Sequence, residues 1–145
     1  MVFELVSPYL LSILLAWAVA HLVKYVISTM KKEKMNLRGY LFVSGGMPSA
    51  HSAAVTAMTT MIALRDGIGS GLFGLALLFA SITMYDAMKV RRSSGEQGMA
   101  LISLMKEQKS KVKYPRVAKG HTPLEVGFGI ALGLVIGLVV FLSTR

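Results

Sequence analysis

Four long stretches of this sequence contain no Asp, Glu, Lys or Arg, and they restrict its fold more than any other feature. The stretches cover residues 5–23, 39–64, 67–85 and 126–144. A helix that crosses a bilayer needs about 20 mostly apolar residues, and this chain of 145 residues is 54% hydrophobic and only 16% charged. The sequence therefore predicts an all-α integral membrane bundle of about four transmembrane helices, in a single membrane-embedded domain over residues 1–145.

The second stretch differs from the other three because it contains a segment that cannot be the interior of a regular helix. Residues 44–49 read Ser-Gly-Gly-Met-Pro-Ser, and proline and glycine interrupt an α-helix. A helical pattern follows from about His51 to Leu64. We expect a polar entry loop at membrane depth that leads into a shorter helix, and such a loop must be buried in protein or face water.

Basic residues are distributed unevenly between the predicted spans. The net charge is +9, and the positive side chains concentrate between the first and second stretches and between the third and fourth. By the positive-inside rule both connections are cytoplasmic. The sequence thus predicts a multi-pass protein of the cell membrane with both termini outside.

The longer basic connection also has a helical pattern of its own. Apolar residues recur at helical spacing from Met99 to Met105, among polar and charged residues. This pattern predicts a short cytoplasmic amphipathic helix that lies on the membrane surface. The lysines around and after it predict attraction to anionic membrane lipids.

Several classes of function are excluded or disfavoured. The chain has no cysteine, which excludes disulfide scaffolds, thiolate catalysis and cysteine-based metal sites. The Gly127-x-Gly129 pattern is no nucleotide fingerprint, because Leu132 stands where the third glycine is required. A zinc site from the histidines is disfavoured because the HExxH spacing is missing and nearby cations would repel a metal ion. No cofactor, no metal and no nucleic acid is predicted.

Four ionisable residues stand at the ends of the predicted spans, where they are costly. They are His51, Asp86, His121 and Glu125. An ionisable group at mid-membrane costs from about 2.5 kcal/mol upward, so their presence indicates a shared polar site. The predicted topology brings all four to the cytoplasmic ends of their helices. Four cations are expected at the same depth: Lys24, Arg38, Arg91 and Arg92.

These residue types are suited to phosphoryl transfer without a metal. His121 and Glu125 are four residues apart, as neighbours on one helix face, so the carboxylate can orient the ring and leave its other nitrogen as a nucleophile. His51 at a helix start can protonate a leaving oxygen. Asp86 is a supporting residue in this interpretation and an ion-pair partner of the arginines in the structural alternative. Donors to an anion are expected from Ser49, Arg91, Arg92, Lys24 and Arg38.

Three blocks of the sequence resemble the divergent branch of the superfamily of type 2 phosphatidic acid phosphatases and vanadium haloperoxidases. The blocks are GGMPSAHSA at 45–53, YDAMKVRRSSGEQ at 85–97 and GHTPLEVGFGIALG at 120–133. The resemblance implies a small membrane phosphatase in which His121 is the nucleophile, Glu125 its orienting group and His51 the general acid. The predicted substrate-binding set also includes Gly46 and Gly120, from the first and third blocks.

The chain departs from the superfamily pattern in its phosphate-binding residues. In the first superfamily block a Lys is followed seven residues later by Arg-Pro, whereas Lys24 and Arg38 are fourteen apart. The Ser-Arg expected before the nucleophile is absent, and Arg91, Arg92 or the less suitable Arg116 would replace it. Alanine also replaces glycine before His51, and the acid after His121 is Glu in place of the commoner Asp.

Small residues repeat along the fourth stretch. Gly129, Gly133 and Gly137 recur every four residues, a spacing that lets helices approach closely. The matching side of the second span is predicted to contain Ala53, Ala57 and Thr60. This stripe predicts close packing within the chain or in a homodimer.

The sequence as a whole predicts a metal-independent membrane phosphatase that hydrolyses a lipid phosphate or diphosphate through a phosphohistidine, with its active site at the cytoplasmic face. Two alternatives belong to other classes. One is a non-catalytic protein that binds or transports an anion, and the other is a structural membrane protein with a polybasic, lipid-binding loop. The sequence does not choose among phosphatidate, phosphatidylglycerophosphate and polyprenyl diphosphate.

Overall fold

Five α-helices make up most of the computed structural model, which describes residues 7–30 and 46–145. The helices are α1 (Pro8–Met30), α2 (Ala50–Arg65), α3 (Gly71–Tyr85), α4 (Arg91–Glu107) and α5 (Pro123–Ser143). A π-helical turn, Asp86–Val90, joins α3 to α4. No strand occurs within the described ranges. The predicted all-α membrane bundle is therefore confirmed.

Within the described ranges, three helical segments are long and apolar enough to cross a membrane: α1, the continuous run Gly71–Glu107, and α5. The shorter helix expected from about His51 to Leu64 is found as α2, whose 16 residues are fewer than the about 20 of a regular membrane span. Helix α2 is instead the centre of the bundle and contacts α1, α3 and α5. Its small side chains allow this position, since Ala53 and Ala57 are fully buried.

Helices α2 and α5 pack backbone against backbone through the glycine stripe. A Cβ atom on Gly133 would lie 2.5 Å from the carbonyl oxygen of Ala53, and one on Gly137 would lie 2.8 Å from the Cβ of Thr60. Such close approach is what the four-residue spacing of small residues predicts, and within the chain this prediction is confirmed. A homodimer stays a prediction, and the buried glycine stripe is not available for it.

Hydrogen bonds at the two ends of the bundle fix the relative directions of the helices. At one end Tyr9 donates to Asp66 at 2.7 Å, and Arg65 donates to the carbonyl of Thr144 at 2.6 Å. The helix starts of α2 and α5 therefore meet at the other end. That end contains His51, Asp86 and His121, and we call these three residues and their surroundings the histidine end.

The predicted amphipathic helix exists, but it is not a separate element. Helix α4 continues α3 through the π-helical turn and ends at Glu107. The chain then returns along α4 without regular structure, and we call residues 115–121 the return segment. In the return segment Val117 lies against Gly98, and Ala118 lies against Gly95. This return brings His121 back to the histidine end.

Candidate active site

His121 and Glu125 form a buried, hydrogen-bonded pair at the start of α5. The His121 ring is 7% exposed, and its Nδ1 lies 3.2 Å from Oε2 of Glu125. A carboxylate oxygen can only accept, so Nδ1 carries the proton and Nε2 is left with its lone pair. This tautomer is the one that a nucleophilic role requires.

The local fold of this pair differs from the sequence-based expectation. His121 precedes α5 and does not lie on it, because Thr122 is the N-cap and Pro123 the first helical residue. The Glu125 carboxylate accepts the Thr122 N–H at 2.9 Å, and the Thr122 hydroxyl accepts the Glu125 N–H at 3.3 Å. The capping box thus holds the carboxylate that orients His121.

The π-helical turn supplies a backbone acceptor for His121. In an α-helix the N–H of Arg91 would bond the carbonyl four residues back, but here it bonds the carbonyl of Asp86, five residues back. The carbonyl of Ala87 accepts the N–H of His121 at 2.9 Å. Single π-turns of this kind occur often at functional sites. Sequence reasoning missed Ala87, since a one-residue change of helical register leaves no compositional signal.

Three glycines bring the return segment into contact with the π-turn and α4. A Cβ on Gly95 would lie 2.1 Å from the carbonyl oxygen of Ala118, and one on Gly120 would lie 2.7 Å from the backbone nitrogen of Arg92. Gly120 also has a φ of +64°, which L side chains rarely adopt. Gly120, predicted to bind substrate, therefore has a structural role in placing His121. The sequence signal for this contact was a glycine inside an otherwise helical and exposed pattern, such as Gly95 in α4.

His51 is the second residue of α2, and the residue before that helix fixes its position. Ser49 is the N-cap and is fully buried, and its Oγ accepts the Ser52 hydroxyl at 2.9 Å. Its N–H donates to the backbone carbonyl of Glu125 at 3.0 Å. The Ser49 backbone thus links the starts of α2 and α5 directly. In this cap the Ser49 Oγ is used as an acceptor, and the expected donation from its hydroxyl to an anion stays a prediction.

The charged residues of the histidine end surround the exposed ring of His51. Four residues have charges that act on that ring: Arg91, Lys24, His21 and Asp86. The charges of Lys24 and Glu125 also act on each other. His21 belongs to α1 and is also held within that helix. Its Nδ1 lies 2.9 Å from the carbonyl oxygen of Trp17.

The predicted cations fall into distinct groups. The half-buried Lys24 passes Gly46, since a Cβ there would lie 3.7 Å from the Lys24 stem. Arg91 pairs with Asp86 at 2.5 Å, and the charges of both residues act on the His51 ring. Three other predicted or considered arginines are placed differently: Arg92 pairs along α4 with Glu96 at 3.2 Å, Arg116 is exposed on the return segment, and Arg38 lies outside the described residues.

Burial lowers the pKa of His121 below its ordinary value of 6.5, and the hydrogen bond and charge of Glu125 oppose this effect. Lys24 and His51 lower the pKa further. The ring is therefore neutral near pH 7. In the described part of the chain, no three His, Cys, Asp or Glu side chains are arranged to hold a metal ion.

These features define an all-helical membrane protein with a buried histidine–carboxylate pair beside a second histidine and two cations. Residues 5–136 match the Divergent PAP2 family, and the chain belongs to that family. It is also 38% identical over 152 residues to the uncharacterized membrane protein YuiD of Bacillus subtilis (strain 168), with 94% of this chain and 96% of that protein covered. No solved structure matches the chain. The resemblance seen in the three sequence blocks is confirmed at the level of the family.

Proposed function

We propose that this protein is a membrane phosphatase that hydrolyses a lipid phosphate or diphosphate through a phosphohistidine. The observation that carries the proposal is the buried His121 ring, whose Nδ1 is held by Glu125 and whose Nε2 keeps its lone pair. His51 and Lys24 lie close enough for their charges to act on this ring. Membership of the Divergent PAP2 family supports a phosphatase-like reaction.

In the first proposed step Nε2 of His121 attacks phosphorus. A P–N bond forms, the bond from phosphorus to the leaving oxygen breaks, and the protonated His51 gives its proton to that oxygen. The Glu125 carboxylate stabilises the positive charge that develops on the His121 ring. Lys24 and Arg91 stabilise the charge on the remaining phosphoryl oxygens, which is the usual dominant contribution in phosphoryl transfer.

In the second step His51, now neutral, removes a proton from water as the water attacks phosphorus. The P–N bond breaks, phosphate leaves, and both imidazoles return to their starting protonation states. Ser49 supports this step by holding the start of α2 against Glu125. Arg38, Arg92 and Gly46 stay in the predicted substrate-binding set.

The substrate proposed for this site is a lipid because the site lies at one end of membrane-spanning helices. Its positive groups suit a phosphate at the level of the lipid headgroups, and we assign this end to the cytoplasmic face by the positive-inside rule. A group of lysines lies in the last turn of α4 and just after it, and would attract anionic lipids to the same face: Lys106, Lys109, Lys111 and Lys113.

The proposal is tested by phosphate release from a panel of lipids. Purified protein in mixed micelles is offered phosphatidate, phosphatidylglycerophosphate and polyprenyl diphosphate, each with and without vanadate and with and without a chelator. We expect release from at least one lipid, inhibition by vanadate and no effect of the chelator. Activity that requires a divalent metal would overturn the mechanism. If no lipid is hydrolysed and His121→Ala leaves anion binding unchanged, the non-catalytic alternatives replace it.

The pH dependence of the same reaction tests the state of His121. Its folded pKa lies below 6.5, so the neutral nucleophile persists to lower pH than a free imidazole does, and the acidic limb of kcat/KM should lie below about pH 6.5. Glu125 raises this pKa. Glu125→Gln should therefore move the acidic limb to still lower pH and reduce the rate about 10-fold to 100-fold. An acidic limb of the Glu125→Gln profile that moves to higher pH would contradict the assignment.

A further inference from the structure

An apolar groove of about 400 Å³ runs along α2 between α1 and α3. Ala54, Met58 and Ile62 of α2 are in its floor, and Phe79 of α3 is in a wall. The polar side chain in its lining is Thr59, whose hydroxyl already donates to the carbonyl of Val55 at 2.8 Å. The groove therefore offers its occupant hydrocarbon contacts and almost no hydrogen bonds.

The groove begins beside the candidate active site and runs away from it along the bundle. Ala54 lies three residues, about one helical turn, after His51. The lining extends along α2 from Ala54 to Ile62, which at about 1.5 Å per residue is about 12 Å. One end of the groove is thus about one helical turn from His51, and the other, at Ile62 and Leu72, is near the opposite end of the bundle.

The position and the lining of the groove indicate its occupant. The groove is apolar over about 12 Å along α2, and it begins about one helical turn from His51, near the cations of the histidine end. A single extended hydrocarbon chain fits the length and the lining.

We propose that this groove binds one hydrocarbon chain of the lipid phosphate whose headgroup is held at His121. The cationic histidine end and the adjacent apolar groove are together complementary to an anionic headgroup with an attached chain. The inference rests on the proposed function for the identity of the headgroup. It adds a chain-binding site that selects membrane lipids over water-soluble phosphate esters.

Filling the groove tests this selection. Ala76 of α3 lines the groove, and Ala76→Phe places a ring where the chain would lie. We expect this variant to raise the KM for long-chain phosphatidate about tenfold or more and to leave hydrolysis of p-nitrophenyl phosphate unchanged. Ala131→Phe is the matched control, because Ala131 is exposed on α5, and it should change neither reaction. Equal losses with both substrates, or none with either, would overturn the proposal.

Photo-crosslinking tests the groove without any need for catalysis or for a substitution in it. Phosphatidate with a diazirine at the end of one chain is bound to the unmodified protein and to His121→Ala, and the crosslinked peptides are identified by mass spectrometry. We expect crosslinks to the groove residues of α2 and α3 in both proteins, and far fewer from diacylglycerol with the same probe. Such crosslinks without hydrolysis would refute the proposed function alone. Equal labelling by diacylglycerol, or labelling spread over the exposed helix faces, would refute the proposal that the groove binds a chain of the lipid phosphate.

Discussion

His121→Ala is expected to abolish phosphate release, with a loss of about 10⁴-fold or more. The reason is that Nε2 of this ring is the atom that bonds phosphorus, and alanine provides no substitute for it. His51→Ala is expected to reduce the rate of phosphate release about 10²-fold to 10⁴-fold, which is the usual contribution of a general acid and base. The measurement is the initial rate of release from the best lipid substrate of the panel.

The two variants should differ in what accumulates. Without His51 the water of the second step is not activated, so the phosphohistidine of His51→Ala should persist long enough to be trapped by denaturation. Its label should be acid-labile and alkali-stable, as expected for phosphorus bound to nitrogen. His121→Ala should show no label at all.

The third histidine of the chain provides a matched control for both variants. His21 belongs to α1, with Nδ1 2.9 Å from the carbonyl oxygen of Trp17 and its ring stacked on that of Trp17 at a centroid distance of 4.1 Å. His21→Ala should change the rate by no more than about threefold, since the hydrogen bond and the ring contact that it removes both lie within α1. Label that persists in His121→Ala, or a loss in His21→Ala equal to the other two, would contradict the assignment of the nucleophile.

The features of the fold that the sequence predicted are those with a simple period. Charge-free stretches identify α1, α3 and α5 as apolar helices, and the four-residue repeat from Gly129 to Gly137 predicts the close contact with α2. These patterns are informative because each depends on one physical requirement, either the exclusion of charge from hydrocarbon or the absence of side-chain bulk at a helix contact. The bounds of α2 were predicted from a different signal: the helix expected from about His51 to Leu64 is observed as Ala50–Arg65, because glycine, proline and serine before it mark a helix start.

The local geometry of the site was predicted less completely. The Thr122-Pro123 sequence with Glu125 three residues after the threonine is a helix-start signal, and it places His121 outside α5 even though a four-residue spacing suggested a shared helix face. The pairing of Arg92 with Glu96 depends on side-chain rotamers and local neighbours. Residue type alone therefore could not distinguish the position of Arg92 from that of Arg91. The register of the π-turn gave no signal in composition or period.

Gly95→Ala is expected to reduce kcat about 100-fold while leaving the bundle folded. The added Cβ would lie 2.1 Å from the carbonyl oxygen of Ala118, and ordinary contact begins at 3.4 Å, so the return segment must move by more than an ångström. His121 is the last residue of this segment, and a misplacement of about 1 Å at a reacting group can cost 10²-fold. The rate and the amount of trapped phosphohistidine should fall together.

Two other glycines separate this effect from a general loss of stability. A Cβ on Gly98 would meet only the flexible side chain of Val117 at 3.1 Å, and one on Gly127 would meet nothing within 4 Å. Gly98→Ala should therefore reduce kcat less than about tenfold, and Gly127→Ala should leave kcat unchanged. Alanine also favours a helix over glycine by about 1 kcal/mol. Helix content by circular dichroism should be unchanged in all three variants, since each substitution lies inside a helix, where alanine is favoured over glycine. Equal rates for Gly95→Ala and Gly127→Ala would show that contact between the return segment and α4 does not position His121.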